Sequence, residues 1–248
     1  MKLAAIADVH GNRPALDAVL ADIAALGIDD VVNLGDHVSG PLEAAGTADL
    51  LIERGFPSVR GDQDRILLEL RQAGTSSRSD FQQLERRHFE WMADMPSTLM
   101  YKDRVFLCHA SPTNDAAFWL DTISESGVVR ASSIEEIEVE AEGIDAQIIL
   151  CGHTHIPRIV RLRDGRLVVN PGSVGLPGYD GRLPVPYVVE LGTPHACYAI
   201  LEHAGGGWSA SIRYVPYDSA AMAALARRKG MLTWASAIAT GWVRPERS

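Results

Sequence analysis

Leu3-Ala4-Ala5-Ile6-Ala7-Asp8-Val9-His10-Gly11-Asn12-Arg13-Pro14 sets the reading of the whole chain. Five apolar residues run directly into a carboxylate and an imidazole. A residue that caps helices follows, with proline just inside the helix start, so a buried strand hands over to a loop and then to a helix. Leu16, Val19, Leu20, Ile23 and Leu26 then recur at helical spacing, and Gly27 stops the run. Residues 31–34 read as a second strand, 35–41 as a loop, 42–54 as a helix closed by Gly55, and 57–60 as a third strand. The order β-α-β-α-β predicts a parallel sheet.

Farther along, residues 65–72 and 80–95 read as helices separated by a polar linker at 74–79. Phe81, Leu84, His88, Trp91 and Met92 share one face of the second, which makes His88 a core-edge or surface residue rather than a ligand. Strands are expected at 99–101, 105–108 and 148–151, and a hairpin at 158–170 turns on Asp164-Gly165. Residues 112–143 read as an irregular and helical insertion whose acidic run, 135–142, is a solvated helix face. Further strands fall at 187–191, 198–202 and 210–215, and covering helices at 219–241. No repeat or composition break divides the chain, so one domain over 1–248 is expected.

A net charge of −9 repels polyanions and excludes long nucleic acid as a partner. No segment has the length of a membrane span. Cys108, Cys151 and Cys197 are odd in number and lack C-x-x-C spacing, so they read as small buried hydrophobes rather than a disulfide framework. No N-terminal targeting signal is visible, and a cytoplasmic protein is expected.

Chemistry concentrates at five points, each ending a short apolar run: Asp8 with His10, Asp36, Asp62, His109, and His153 with His155. Open α/β sheets build their sites where strands give way to loops. Seven carboxylates and imidazoles on one rim form a metal-ligand pattern. Nitrogen and oxygen donors without thiolate suit Mn, Fe, Zn, Ni or Co, rather than Mg or Ca alone. Two such ions in one site imply hydrolysis of a phosphate ester, with both cations neutralising charge on the transferring phosphoryl group.

The same residues resemble the calcineurin-like metallophosphoesterase superfamily. Asp8-Val9-His10-Gly11-Asn12-Arg13-Pro14-Ala15-Leu16, Gly35-Asp36, Gly61-Asp62, His109-Ala110-Ser111-Pro112, Gly152-His153-Thr154-His155 and Asn170-Pro171-Gly172-Ser173-Val174-Gly175 are similar to the bacterial branch related to diadenosine tetraphosphatases and Ser/Thr phosphatases. The resemblance implies an α/β, four-layer αββα sandwich of two mixed sheets with a dinuclear site at the rim. It places Asp8, His10 and His155 on one metal, Asp62, His109 and His153 on the other, and Asp36 as the bridge. Attack on phosphorus is then by hydroxide held between the ions, one of which can be Fe³⁺.

Two residues depart from that pattern. Asp62 stands where the superfamily has Asn, and Gln63 where relatives carry His or Cys; a Gln is no general acid at ordinary pH. His37 and His109 are the remaining proton-donor candidates, beside Asp36 as a catalytic residue. Asn12, Gln63 and Trp119 are the candidate substrate contacts; Phe118 and Trp119 either offer a stacking surface to a base or aryl group or form the core of the insertion. The expected activity is hydrolysis of a small phosphate mono- or diester, with nucleotide-like esters among the candidates. The alternative is a catalytically weakened scaffold that binds or regulates. Oligomeric state is not readable from the sequence.

Overall fold

The computed structural model describes residues 1–74 and 76–243; Thr75, inside the expected polar linker, and residues 244–248 lie outside the described residues. Strand β1 (Lys2–Ile6), helix α1 (Arg13–Ala25) and β2 (Val31–Asn33) are followed by α2 (Ala44–Arg54), α3 (Asp62–Gln72), α4 (Ser79–Gln83) and α5 (Arg86–Ala93). Then come β3 (Thr98–Tyr101), β4 (Val105–Cys108), β5 (Asp121–Ile123), β6 (Val129–Ala131), α6 (Ile134–Glu140) and β7 (Ile148–Leu150). The chain continues through β8 (Arg158–Arg161), β9 (Leu167–Asn170), β10 (Gly178–Gly181), β11 (Tyr187–Glu190), β12 (Ala196–Ala204) and β13 (Gly207–Val215) to α7 (Ala220–Arg228) and α8 (Leu232–Thr240).

Two mixed sheets carry the fold. One has the order β13-β12-β1-β2, with β1 parallel to β2 and antiparallel to β12. The other has the order β3-β4-β7-β9-β8, with β4, β7 and β9 parallel inside antiparallel edges. The two-residue period of a strand decides which side chains face where. Leu3, Ala5 and Ala7 turn inward with Ala199 and Leu201, against Leu107, Ile148, Leu150 and Val169 of the second sheet. Ala4 and Ile6 turn outward onto Leu16, Val19 and Ile23 of α1 and Leu50 and Leu51 of α2. On the far side, Ile149 and Val168 pack under Trp119, Leu120 and Ile137 of the insertion. Each large aliphatic side chain so enclosed contributes about 1.5–3 kcal/mol. The result is the expected mixed α/β architecture, with α1 and α2 over one sheet and the insertion, bearing α6, over the other.

Local chemistry explains the helix ends. Asn12 caps α1, its side-chain oxygen accepting from the Ala15 N–H at 3.4 Å, and Gly55 ends α2 in the left-handed conformation at φ 61°.

Several expectations are corrected. Residues 57–60 form a single bridge, Asn33 to Ser58, rather than a strand, because the Arg60 N–H leaves β2 and donates to the Pro96 carbonyl at 2.9 Å. The long helix expected at 80–95 is two helices. Gln83 donates to the Leu42 carbonyl at 3.0 Å and accepts from the Ala44 N–H at 3.1 Å, tying α4 to the loop before α2. Leu84 then turns extended, and α5 restarts with the Glu85 N–H donating to His88 Nδ1. The insertion holds the hairpin β5–β6 as well as a helix. Strand β10 was not foreseen: Gly178-Tyr179-Asp180-Gly181 has no alternating apolar pattern, and its pairing with β11 alone makes it a strand. Among the described residues no helix is long and apolar enough to cross a membrane.

Candidate metal centre

Because β1 and β2 run parallel, and β4 and β7 likewise, the loops that follow them open on one edge. That edge gathers all seven residues singled out in the sequence. Asp8, His10 and His155 form one triad; Asp62, His109 and His153 form another; Asp8, Asp36 and His109 link them, and within each group the ligand-type atoms lie within 4.8 Å of one another. Five of the seven hold a left-handed backbone: Asp8 (φ 54°), His10 (51°), Asp36 (55°), His153 (67°) and His155 (61°). Each such residue costs free energy that the surrounding fold must supply, and concentration of that strain in one place marks a functional site. Gly61 is needed for close approach, since a Cβ there would collide with the Asp36 carboxylate.

The imidazoles are held by their far nitrogens. His109 Nδ1 faces the Leu34 carbonyl at 2.7 Å, His155 Nδ1 the Leu176 carbonyl at 2.6 Å, and His10 Nδ1 the Ser39 hydroxyl at 2.8 Å and its carbonyl at 3.3 Å. A carbonyl only accepts, so each Nδ1 carries a proton and each ring turns its Nε2 to the centre, where it can meet a cation or a second proton. There the Nε2 atoms of His10 and His155 stand 3.1 Å apart, and His109 Nε2 lies 3.2 Å from Asp62 Oδ1. His153 Nδ1 also lies 3.2 Å from Asp62 Oδ1. The buried Asp8 Oδ1 has no hydrogen-bond partner among the described residues. Two imidazole nitrogens facing each other, two more converging on one carboxylate oxygen and an orphaned carboxylate oxygen are what bound cations resolve, so the residues present fit a pair of metal ions. Asp36 is shared: its Oδ2 faces His10 Nε2 at 3.7 Å and its Oδ1 faces His109 Nε2 at 3.5 Å.

Proton affinities tell the same story. Burial, with repulsion from His155, pushes His10 down to about 3. Burial opposes a charge on His109, yet Asp36, Asp62 and Asp8 together hold its proton well above the ordinary histidine range. Burial raises Asp36, and the neighbouring Asp62, Asp64 and Asp8 add to the rise against the pull of His109. Burial also opposes ionisation of Asp62, but hydrogen bonds from His109 and His153 outweigh it and bring its carboxyl below the usual range. Without metal, protons play the part of the cations.

Asp64 is a positioning residue that the sequence reading missed. Its carboxylate accepts from the N–H groups of Asp36 (3.0 Å), His37 (3.1 Å) and Gly61 (2.9 Å) and pairs with His37 Nδ1 at 2.7 Å. It thereby fixes the loops carrying Asp36 and Asp62 together; its place two residues after Asp62, in the first turn of a helix, was the available signal. Ser39 and Tyr179 were missed as well.

Three expected roles are corrected. His37, a proton-donor candidate, is fully buried against Asp64 and Trp91 and does not line the cavity. Asn12 is spent on structure: its amide donates to the Gly175 carbonyl and the Tyr217 hydroxyl, and it caps α1. Trp119 lies inside the insertion, donating to the Ile137 carbonyl at 3.2 Å; its neighbour Phe118 lines the cavity instead. Gln63 does line the cavity, with its side chain on Asp62 Oδ2 at 2.8 Å.

Residues 1–192 match the family model described as the calcineurin-like phosphoesterase superfamily domain. The chain belongs to the calcineurin-like phosphoesterase superfamily. Among solved structures, this phosphoesterase-superfamily chain is similar to a metallophosphoesterase from Sphaerobacter thermophilus, with 24% identity, 98% of this chain and 100% of that one covered, and a TM-score of 0.74. It is also similar to a protein provisionally described as a diadenosine tetraphosphatase, with 17% identity, coverage of 85% and 93%, and a TM-score of 0.52. At these identities the likeness is one of fold. No curated protein matches the sequence.

Proposed function

We propose that the protein hydrolyses a small phosphate mono- or diester, using two divalent transition-metal ions held by Asp8, His10 and His155 on one side and Asp62, His109 and His153 on the other. The observation that carries this reading is Asp36, whose two carboxylate oxygens face different triads. Bound there, two cations would supply positive charge to phosphoryl oxygens and lower the pKa of water. The chain's own part is to hold the ligands. Leu34, Leu176 and Ser39 orient the imidazoles, and Asp64 sets the loops of Asp36 and Asp62. No side-chain nucleophile is needed. Ser173 is occupied, its hydroxyl donating to the Asp8 carbonyl and accepting from the Leu176 N–H. Gln63 has no proton of useful acidity, which favours esters with stable leaving groups. The buried free thiols of Cys108, Cys151 and Cys197 support a reducing, cytoplasmic setting.

Elemental analysis after Mn²⁺ loading is expected to find about two ions per chain, and a panel of phosphate mono- and diesters to show turnover that Asp36→Asn abolishes. Full metal occupancy without turnover of any ester supports the binding-scaffold alternative instead, and absence of metal sinks both the centre and the activity.

A further inference from the structure

The cavity beside the centre has a volume of about 1140 Å³. Pockets for drug-sized ligands run to about 300–1,000 Å³, so a phosphate group fills only a small part of this one. One wall of it is aromatic. Phe118, in the insertion, stands edge-on to His153 at 5.6 Å between ring centroids and to Tyr187 of β11 at 5.5 Å. Tyr187 meets Tyr179 of β10 at 6.1 Å, and Tyr179 meets His155 at 4.7 Å. The line of rings therefore starts on one triad and ends on the other. All three line the cavity and are only part-buried, unlike the enclosed Trp119. The hydroxyl of Tyr179 has no hydrogen-bond partner among the described residues. Two hairpins hold the wall in place: Gly127, in the β5–β6 turn, approaches the Pro186 carbonyl so closely that a Cβ would collide with it.

We propose that Phe118, Tyr187 and Tyr179 bind the organic group of the ester, and that this group is a flat ring, an aryl group or a nucleobase. The proposal rests on the phosphoesterase reading and adds its substrate class. Rings at centroid separations of roughly 4.5–7 Å gain from face and edge contacts that an alkyl group lacks. An acyl chain would need an apolar lining throughout, whereas this cavity is also lined by Arg78, Asp80, Arg182 and Lys229.

The test compares phenyl phosphate with methyl phosphate for KM, and AMP with ribose 5-phosphate for calorimetric Kd, on the Mn²⁺-loaded protein. The ring-bearing member of each pair is expected to bind about tenfold more tightly, and Phe118→Leu or Tyr187→Leu to cut that advantage by about two- to fivefold. Values for the ring-free partners should not move. Gly127→Val, outside the site, is expected to erode the ring preference by parting the hairpins. Equal affinities within each pair, or equal losses for both members in the variants, overturn the proposal. Calorimetry reads the wall independently of catalysis. A ring preference lost in Phe118→Leu upholds the wall even if no ester turns over, whereas turnover without a ring preference overturns the wall and leaves the phosphoesterase reading standing.

Discussion

Asp36 faces both triads at once, and an amide cannot repeat that, because one of its two heteroatoms is a donor. Asp36→Asn is therefore expected to lower bound metal from about two ions toward one. It should also cost more turnover than His10→Ala, as metal analysis beside a kinetic assay will show. Asp62 poses the opposite case. With two divalent ions and the charges of Asp8, Asp36 and Asp62, the centre carries about +1; an amide at position 62 restores about +2 and polarises water more strongly. Asp62→Asn is expected to keep the fold, loosen metal modestly, and move the rise of the Mn²⁺ pH–rate profile to lower pH at undiminished maximal rate. Asp64→Ala removes the acceptor for three backbone N–H groups and strands His37, which should cost about 3–5 kcal/mol in urea unfolding. Six of the seven ligand-type residues were legible because they sit where an apolar strand stops; Asp62 follows only the single bridge at Ser58 and opens a helix. Asp64 was not, since its partners are backbone groups from two separate segments, 36–37 and Gly61. His37 and Asn12 were misread for the converse reason: both lie in the right stretches, and only tertiary packing decides that they point away from the cavity.

At the scale of elements, the insertion is where sequence and structure part most. Trp119 and Phe118 are adjacent and chemically alike, and no periodicity over so short a stretch says which turns inward. The structure encloses Trp119 under α6. Trp119→Ala is thus expected to cost about 3–5 kcal/mol through the cavity it leaves. Its effect on KM should not distinguish ring-bearing from ring-free esters, a split that steady-state kinetics and thermal melts will separate. Strands and long amphipathic helices were readable from their periods. The break between α4 and α5 was not, because Gln83 is tied to a loop some 40 residues earlier in the chain. Strand β10 has no pattern of its own.

For the whole molecule, metal occupancy and stability are linked through protons. His109 in the fold holds its proton well above the unfolded value of about 6.5. The stability it contributes to the metal-free protein is fully present below that pH and is lost as pH rises through the folded value. Metal ions must displace that proton, so they bind better as pH rises and, binding the folded state alone, stabilise it. Melting temperature in EDTA should fall on the alkaline side of about 6.5, while the increment given by Mn²⁺ should widen there. Parallel melts from pH 6 to 9 will test it, and an increment that shrinks with pH would count against metal at His109.

The left-handed backbone at Asp8, His10, Asp36, His153 and His155 narrows the routes by which this centre can evolve or be redesigned. Apart from glycine, Asn, Asp and His are the residues most at ease in that conformation. They are also oxygen and nitrogen donors, so the same few side chains meet the demands of the turn and of the ion. Saturation libraries at these five positions should therefore return folded protein mainly for that small alphabet. Isoleucine, valine and threonine should drop out through misfolding before any selection for activity, so a change of metal preference is better sought at Asp62 and His109, where the backbone imposes no such filter.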